Sequence, residues 1–274
     1  MRWARLSGGW FVAVAALLSS GIARAAPDLD PYPKAAAAYV VFVNGVELWA
    51  HAPDRALAPA SLTKLMTARI LVADWQPEAI VHVSATAAAA TGSRLGLRVG
   101  DRLRFADAFD ALLVGSANDA CLALAEHAAG TVERFVARMN EEAETLGLRA
   151  THFRNPCGLD APGHVSTAHD LHRLAMRAME SPEIARAVAR PSVEVRTLDG
   201  RVLRKASGNL LLGRVPGALG VKTGFTRRAG KCLAALVRRG RDEVAVVLLN
   251  APDRWWAASI LVDDAFAALD EARR

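Results

Sequence analysis

Three apolar runs of strand length lie close together near the C-terminus: residues 217–226 (GALGVKTGFT), 229–239 (AGKCLAALVRR) and 242–251 (DEVAVVLLNA). Only two residues separate each from the next. Connections that short make antiparallel neighbours, because a parallel crossover needs a dozen residues or more. A second β-rich stretch, AYVVFVNGVELWA at residues 38–50, hinges on Asn44-Gly45, a dipeptide suited to a tight hairpin. Between these two regions the pattern is mainly helical. Leu62, Leu65, Met66, Ile70 and Leu71 recur at helical spacing, and residues 105–146 read as helix, interrupted at GSAN and at Gly130-Thr131. Further helices are predicted over 167–179 and from Pro182, a hairpin around Asp199-Gly200, and an amphipathic helix over 253–269. Trp255 and Trp256 are expected to pack that last helix onto the sheet. If the first hairpin joins the late strands in one sheet, the helical block forms a second lobe with a cleft between.

At 274 residues, 52% hydrophobic and 23% charged, the chain can bury a substantial core and is not disordered. It shows no repeat, low-complexity tract or linker to a second module. Arg2 and Arg5, a short apolar run from Trp10 to about Leu18, and Ala23-Arg24-Ala25 predict a signal peptide over residues 1–25. The run is shorter than the ~20 residues a spanning helix needs. Loss of Arg2, Arg5 and Arg24 lowers the formal charge from +6 to about +3. An exported chain of that charge is not a nucleic-acid binder; Arg227-Arg228 and the 238–241 arginines read as solvated turns. An oxidising compartment permits one disulfide among Cys121, Cys157 and Cys232. Cys121 sits in an apolar helical run and reads as a small buried residue, so Cys157 and Cys232 are the expected pair.

Only five lysines stand against twenty-nine arginines, yet one, Lys64, falls three residues after Ser61. An i, i+3 pair on a helix lets the amine reach the hydroxyl. Unlike guanidinium, an ammonium can lose a proton at accessible pH. With twelve serines and five lysines, chance supplies roughly 0.2 such pairs, so an N-capping serine with a solvated lysine is an adequate reading of this pair alone. A basic lysine needs its pKa lowered by burial or a nearby cation. Lys222 in GVKTGFT offers that cation, on a strand where Gly220 and Gly224 would leave room for a substrate backbone. Ser116 and Asn118 project from the break between two helices. Ser207-Gly208-Asn209 repeats the Ser-x-Asn spacing but reads as turn chemistry.

Ser61-x-x-Lys64, Ser116-x-Asn118 and Lys222-Thr223-Gly224, in this order, resemble the penicillin-binding and serine β-lactamase superfamily. PASLTKLMTA, GSANDA, THFRNPCGLD, GHVSTAHDL and GVKTGFTRRAGKCL are similar to the low-molecular-mass D-alanyl-D-alanine carboxypeptidases, over roughly residues 39–268. The resemblance implies an α+β, β-lactamase/transpeptidase-like fold: an antiparallel sheet flanked by helices, a mainly helical lobe, and the active site in the cleft. Residues 26–274 would then form one DD-peptidase domain of two lobes, without the extra β-rich domain or amphipathic C-terminal anchor many relatives carry. Ser61 is implied as nucleophile, Lys64 as its base, and Ser116 as the group passing protons to the leaving amine. Asn118 would bind the peptide backbone, and Lys222 and Thr223 of the Lys-Thr-Gly224 stretch the terminal carboxylate. The amides of Ser61 and Phe225 would form the oxyanion hole. Implied partners are peptidoglycan stem peptides and β-lactams, acting in the periplasm or cell envelope with no cofactor, no metal and no stable membrane anchor.

Three other functions share parts of this pattern. An endopeptidase would use the same residues on D-alanyl cross-links. A class A β-lactamase resembles Ser-Asp-Asn with a separate Glu-x-x-Leu-Asn; here the middle residue is Ala117 and the second motif does not occur. A non-catalytic wall-binding protein would not need a titratable Lys64. His164, His169, Asp170 and His172 could suggest a metal site or a triad with Ser166, but His169 and His172 at i, i+3 read as a helix face with Ser166 as N-cap.

Overall fold

In the strand Gly230–Arg239, alternate side chains enter two different cores, which is why its sequence is apolar almost throughout. Cys232, Ala234 and Leu236 face one cluster; Leu233, Ala235 and Val237 face the other. A sheet covered on both faces abandons polar alternation. The computed structural model describes residues 30–274; the expected signal peptide lies outside them.

In chain order the elements are β1 (Ala38–Val43), β2 (Val46–His51), a 3-10 turn (Ala60–Thr63), α1 (Lys64–Ala73), β3 (Ile80–His82), α2 (Ala85–Ala88) and β4 (Arg102–Arg104). Next come α3 (Phe105–Leu113), α4 (Asn118–Ala129), α5 (Val132–Thr145), α6 (Ala168–Met179) and α7 (Pro182–Val188). The chain continues through β5 (Ser192–Arg196), β6 (Val202–Ala206), β7 (Ala218–Thr226), β8 (Gly230–Arg239), β9 (Asp242–Ala251) and α8 (Arg254–Ala272). Five strands form an antiparallel sheet in the order β2-β1-β9-β8-β7, so the first hairpin does join the late strands. Asn44 and Gly45 turn that hairpin with φ of 50° and 81°, the left-handed pair of a type I′ turn. One sheet face packs on α8 through Leu233, Val246, Leu261 and their neighbours; the other packs on the helical block. β3-β4 and β5-β6 form two small separate sheets.

Local chemistry explains the element boundaries. Thr131, Thr167, Ser181 and Asp253 each accept a backbone N–H as helix N-caps. The expected cap of α6 is therefore displaced by one residue: Thr167 bonds the Asp170 N–H, while Ser166 Oγ pairs with Thr151 Oγ1. Trp255 is partly buried against the α8 core, but Trp256 is 58% exposed and does not pack on the sheet.

The disulfide joins Cys121 and Cys157, with Cα atoms 6.0 Å apart, and not Cys157 and Cys232. Cys121 lies one helical turn into α4, facing the loop that carries Cys157. Cys232 is free and buried in β8, its sulfur close to the carbonyls of Ala58 and Ala229. Burial pushes its thiol pKa up to about 11.

Candidate active site

Ser61 does not open a regular α-helix as its spacing suggested; it sits in the 3-10 turn before α1. Ala60, just ahead of it, holds φ at 49°, a left-handed value unusual for a residue with a Cβ. Two glycines flank this turn. A Cβ on Gly158 would lie 1.9 Å from the Ala60 carbonyl oxygen, and one on Gly224 would lie 3.1 Å from the Ser61 nitrogen. A Cβ on Gly220 would strike Val188 of α7 at 2.8 Å. The glycines expected to admit a substrate backbone thus meet the protein's own packing.

Lys64 is fully buried. Its Nζ donates to Asn118 Oδ1 at 2.7 Å and to the Cys157 carbonyl at 2.6 Å, and lies 3.1 Å from Ser61 Oγ. A neutral amine has two N–H bonds and one lone pair. In the neutral form, with both N–H bonds engaged by the two carbonyl oxygens, the lone pair would face the Ser61 hydroxyl. Burial holds the Lys64 pKa well below that of an ordinary lysine, and the charges of Lys222 and then Lys205 lower it further. Burial is the larger cause, and the Lys222 cation singled out in the sequence is the next.

Ser116 stands between α3 and α4 with φ of 52°, and its Oγ accepts from Lys222 Nζ at 2.9 Å. Lys222 also donates to the Thr223 carbonyl and is itself buried, which lowers its pKa to about 7 with help from Arg254 and Lys205. Asn118 begins α4; its Nδ2 donates to the Thr91 carbonyl at 2.6 Å, so its amide braces the cleft wall as well as Lys64. Asp119 next to it accepts the amides of Leu95, Gly96 and Leu97, pinning residues 91–97 beside the cleft. Thr223 Oγ1 lies near Gly208, and Phe225 is 62% exposed at the cleft mouth. The cleft is a cavity of about 780 Å³ lined by Ser61, Asn118, Gly158, Asp160, Phe225 and Arg227, among others.

Several residues that sequence reasoning missed also shape the site. Lys205 on β6 lays its stem against Gly115 and donates to the Arg94 carbonyl, so three of the chain's five lysines gather here. Lysine scarcity was a signal for it. Arg254 donates to the carbonyls of Gly224 and Cys232 and fixes the back of β7. The Cys157 carbonyl and Gly158 had no local signal, because a loop carbonyl's partner is decided by tertiary contact.

The histidines separate. His164 bonds Thr63, His169 lies between Glu47 and Asp54, and His172 stacks on Phe42 with ring centroids 3.7 Å apart. Asp170 bonds Thr151 and the Ala150 N–H. Among the described residues no group of three or more His, Cys, Asp or Glu side chains is placed to hold a metal. Ser207 and Asn209 form a local turn, Ser207 Oγ accepting the Asn209 N–H. A second cavity of about 790 Å³ beside Phe42, Asp54 and His169 holds none of the serines or lysines above.

Comparison with known proteins extends these observations. The D-alanyl-D-alanine carboxypeptidase DacF of Bacillus subtilis is 32% identical over 213 residues, 76% of this chain and 55% of that protein. This chain therefore spans little more than half the length of that relative. A D-alanyl-D-alanine endopeptidase of Pseudomonas aeruginosa is 31% identical over 214 residues, 76% of this chain and 68% of that one. The solved Streptomyces K15 DD-transpeptidase superposes with a TM-score of 0.80 at 28% identity, covering 85% of this chain and 97% of that one. The α+β architecture expected from the sequence is thus the one observed. The family model described as D-alanyl-D-alanine carboxypeptidase matches residues 31–253, reaching from just before β1 to the edge of α8. That span takes in both sheet ends and the whole cleft between them, and the chain belongs to the D-alanyl-D-alanine carboxypeptidase family.

Proposed function

We propose that residues 26–274 form one serine DD-peptidase domain of two lobes that removes the terminal D-alanine from peptidoglycan stem pentapeptides outside the cytoplasmic membrane. One observation carries the reading: a fully buried lysine whose Nζ lies within hydrogen-bond reach of Asn118 Oδ1, the Cys157 carbonyl and Ser61 Oγ. A lysine so placed is a base, not a solvated surface cation. Ser61 Oγ attacks the carbonyl of the penultimate D-alanine as Lys64 Nζ takes its proton. The Ser61 and Phe225 amides stabilise the oxyanion. Ser116 returns a proton to the departing amine, D-alanine leaves, and water hydrolyses the ester on Ser61. Lys222 and Thr223 hold the substrate's terminal carboxylate, and Asn118 its backbone. Penicillins acylate the same serine. Among the described residues no helix is long and apolar enough to cross a membrane.

The similarity to a protein named as an endopeptidase favours a second reading, cleavage of D-alanyl cross-links by the same residues. Mass spectrometry of digests separates them. Stoichiometric free D-alanine and tetrapeptide from a pentapeptide, with cross-linked dimers left intact, is the expected result. Dimer cleavage without D-alanine release supports the endopeptidase.

A further inference from the structure

His164 is buried where no carboxylate bonds its ring, and each ring nitrogen has one partner. Nδ1 accepts the Arg154 backbone N–H at 3.0 Å, which requires that nitrogen to be unprotonated. The proton therefore sits on Nε2 and is donated to Thr63 Oγ1 at 2.9 Å. Thr63 Oγ1 in turn donates to the Ala60 carbonyl at 2.8 Å. One tautomer satisfies every group, and the bonds run in one direction, from the 152–160 loop to the residue before Ser61.

The carbonyl of Ala60 and the N–H of Ser61 belong to one planar trans peptide, on opposite edges. Whatever fixes the carbonyl fixes the direction of the N–H. This peptide is already confined, with Gly158 against its oxygen and Gly224 against its nitrogen. Ala60 holds a left-handed φ there, so the peptide sits in a conformation that its surroundings must maintain.

We infer that His164 and Thr63 are positioning residues for the DD-peptidase reaction: their hydrogen-bond chain holds the Ala60 carbonyl and so aims the Ser61 N–H at the oxyanion. This rests on the DD-peptidase reading of Ser61. The chain needs a neutral imidazole, since a proton on Nδ1 would face the Arg154 N–H. The charged and titratable groups around the ring are His152, Asp160, Arg154 and Arg228; burial outweighs them and lowers its pKa to about 4. The chain is therefore intact throughout the neutral range.

The test compares Thr63→Val, isosteric but without the hydroxyl, with Thr63→Ser, which keeps it. Sites are counted by stoichiometric penicillin labelling, and kcat and KM are measured per labelled site on a D-Ala-D-Ala peptide. A misaimed oxyanion donor is felt in the transition state and not in ground-state binding. Thr63→Val should lower kcat about tenfold or more with KM unchanged, and Thr63→Ser should recover most of the loss. His164→Leu should resemble Thr63→Val, and the double variant should be no slower than the worse single one. A Thr63→Val kcat within about twofold of wild type per labelled site overturns the inference. So does a loss that appears only as fewer labelled sites, because that is a folding defect. If wild type itself takes no label on Ser61, the DD-peptidase reading falls and the positioning role with it.

Discussion

Gly158 lies so close to Ala60 that a Cβ there would be 1.9 Å from the Ala60 carbonyl oxygen. Its φ of 81° is also one that side-chain-bearing residues resist. Gly158→Ala is therefore expected to cost about 2 kcal/mol or more and to displace the turn that carries Ser61. Urea unfolding should show the lower midpoint, and penicillin labelling a slower acylation of the molecules that remain folded.

The lysine cluster predicts a pH effect of known sign. Lys222 and Lys205 both lower the Lys64 pKa, so removing either cation raises it. Less Lys64 is then neutral at a given pH, and the acid limb of the acylation profile moves to higher pH. Lys205→Met tests this without touching the substrate carboxylate; Lys222→Met should move the limb further and weaken substrate binding as well. Burial remains in both variants, so neither should behave as an ordinary solvated lysine.

The thiols give a count. Denatured but unreduced protein should show one free thiol, Cys232, and reduction should expose all three. The disulfide spans 36 residues, and chain-entropy arguments give about 3–4 kcal/mol for a loop of that length. Cys121→Ser should lower stability by that order. It should also slow acylation, because Cys157 supplies a carbonyl to Lys64 and Cys121 follows Asn118 by one turn.

One buried and one half-buried histidine predict acid sensitivity. His164 and His172 both have pKa values lowered to about 4, chiefly by burial. Their unfolded values lie near 6.5, so between about 6.5 and 4 the unfolded chain binds more protons and stability falls as pH drops. His164, almost fully buried, accounts for about 3 kcal/mol across that window. The midpoint of urea unfolding measured from pH 7 to pH 4 should fall less steeply in His172→Phe, which keeps the stack on Phe42 and removes one of the two protons.

Much of this architecture was legible because the signals were local. Asn44-Gly45, the short turns between β7, β8 and β9, and the breaks at GSAN and Gly130 each state their conformation within a few residues. Ser61, Lys64, Ser116, Asn118 and Lys222 stood out because chemistry restricts which residue types can serve. The disulfide did not, since Cys121 looks like any small apolar residue in a helix until the fold turns it toward Cys157. The Gly158–Ala60 contact and the Thr63–His164 bond were equally hidden, because each joins segments about a hundred residues apart. Gly220 and Gly224 suggest room for a substrate in the sequence, but Val188 and the Ser61 turn lie against them in the fold.

The central claim is that Lys64 is the neutral base of Ser61. Its most direct measurement is the rate of covalent labelling by a fluorescent penicillin, with the adduct mapped by peptide mass, in wild type, Ser61→Ala and Lys64→Ala. The account predicts one adduct per chain on Ser61 in wild type, none in Ser61→Ala, and labelling of Lys64→Ala slowed about a hundredfold or more. An unlabelled wild type, an adduct on another residue, or Lys64→Ala labelling at the wild-type rate would contradict it.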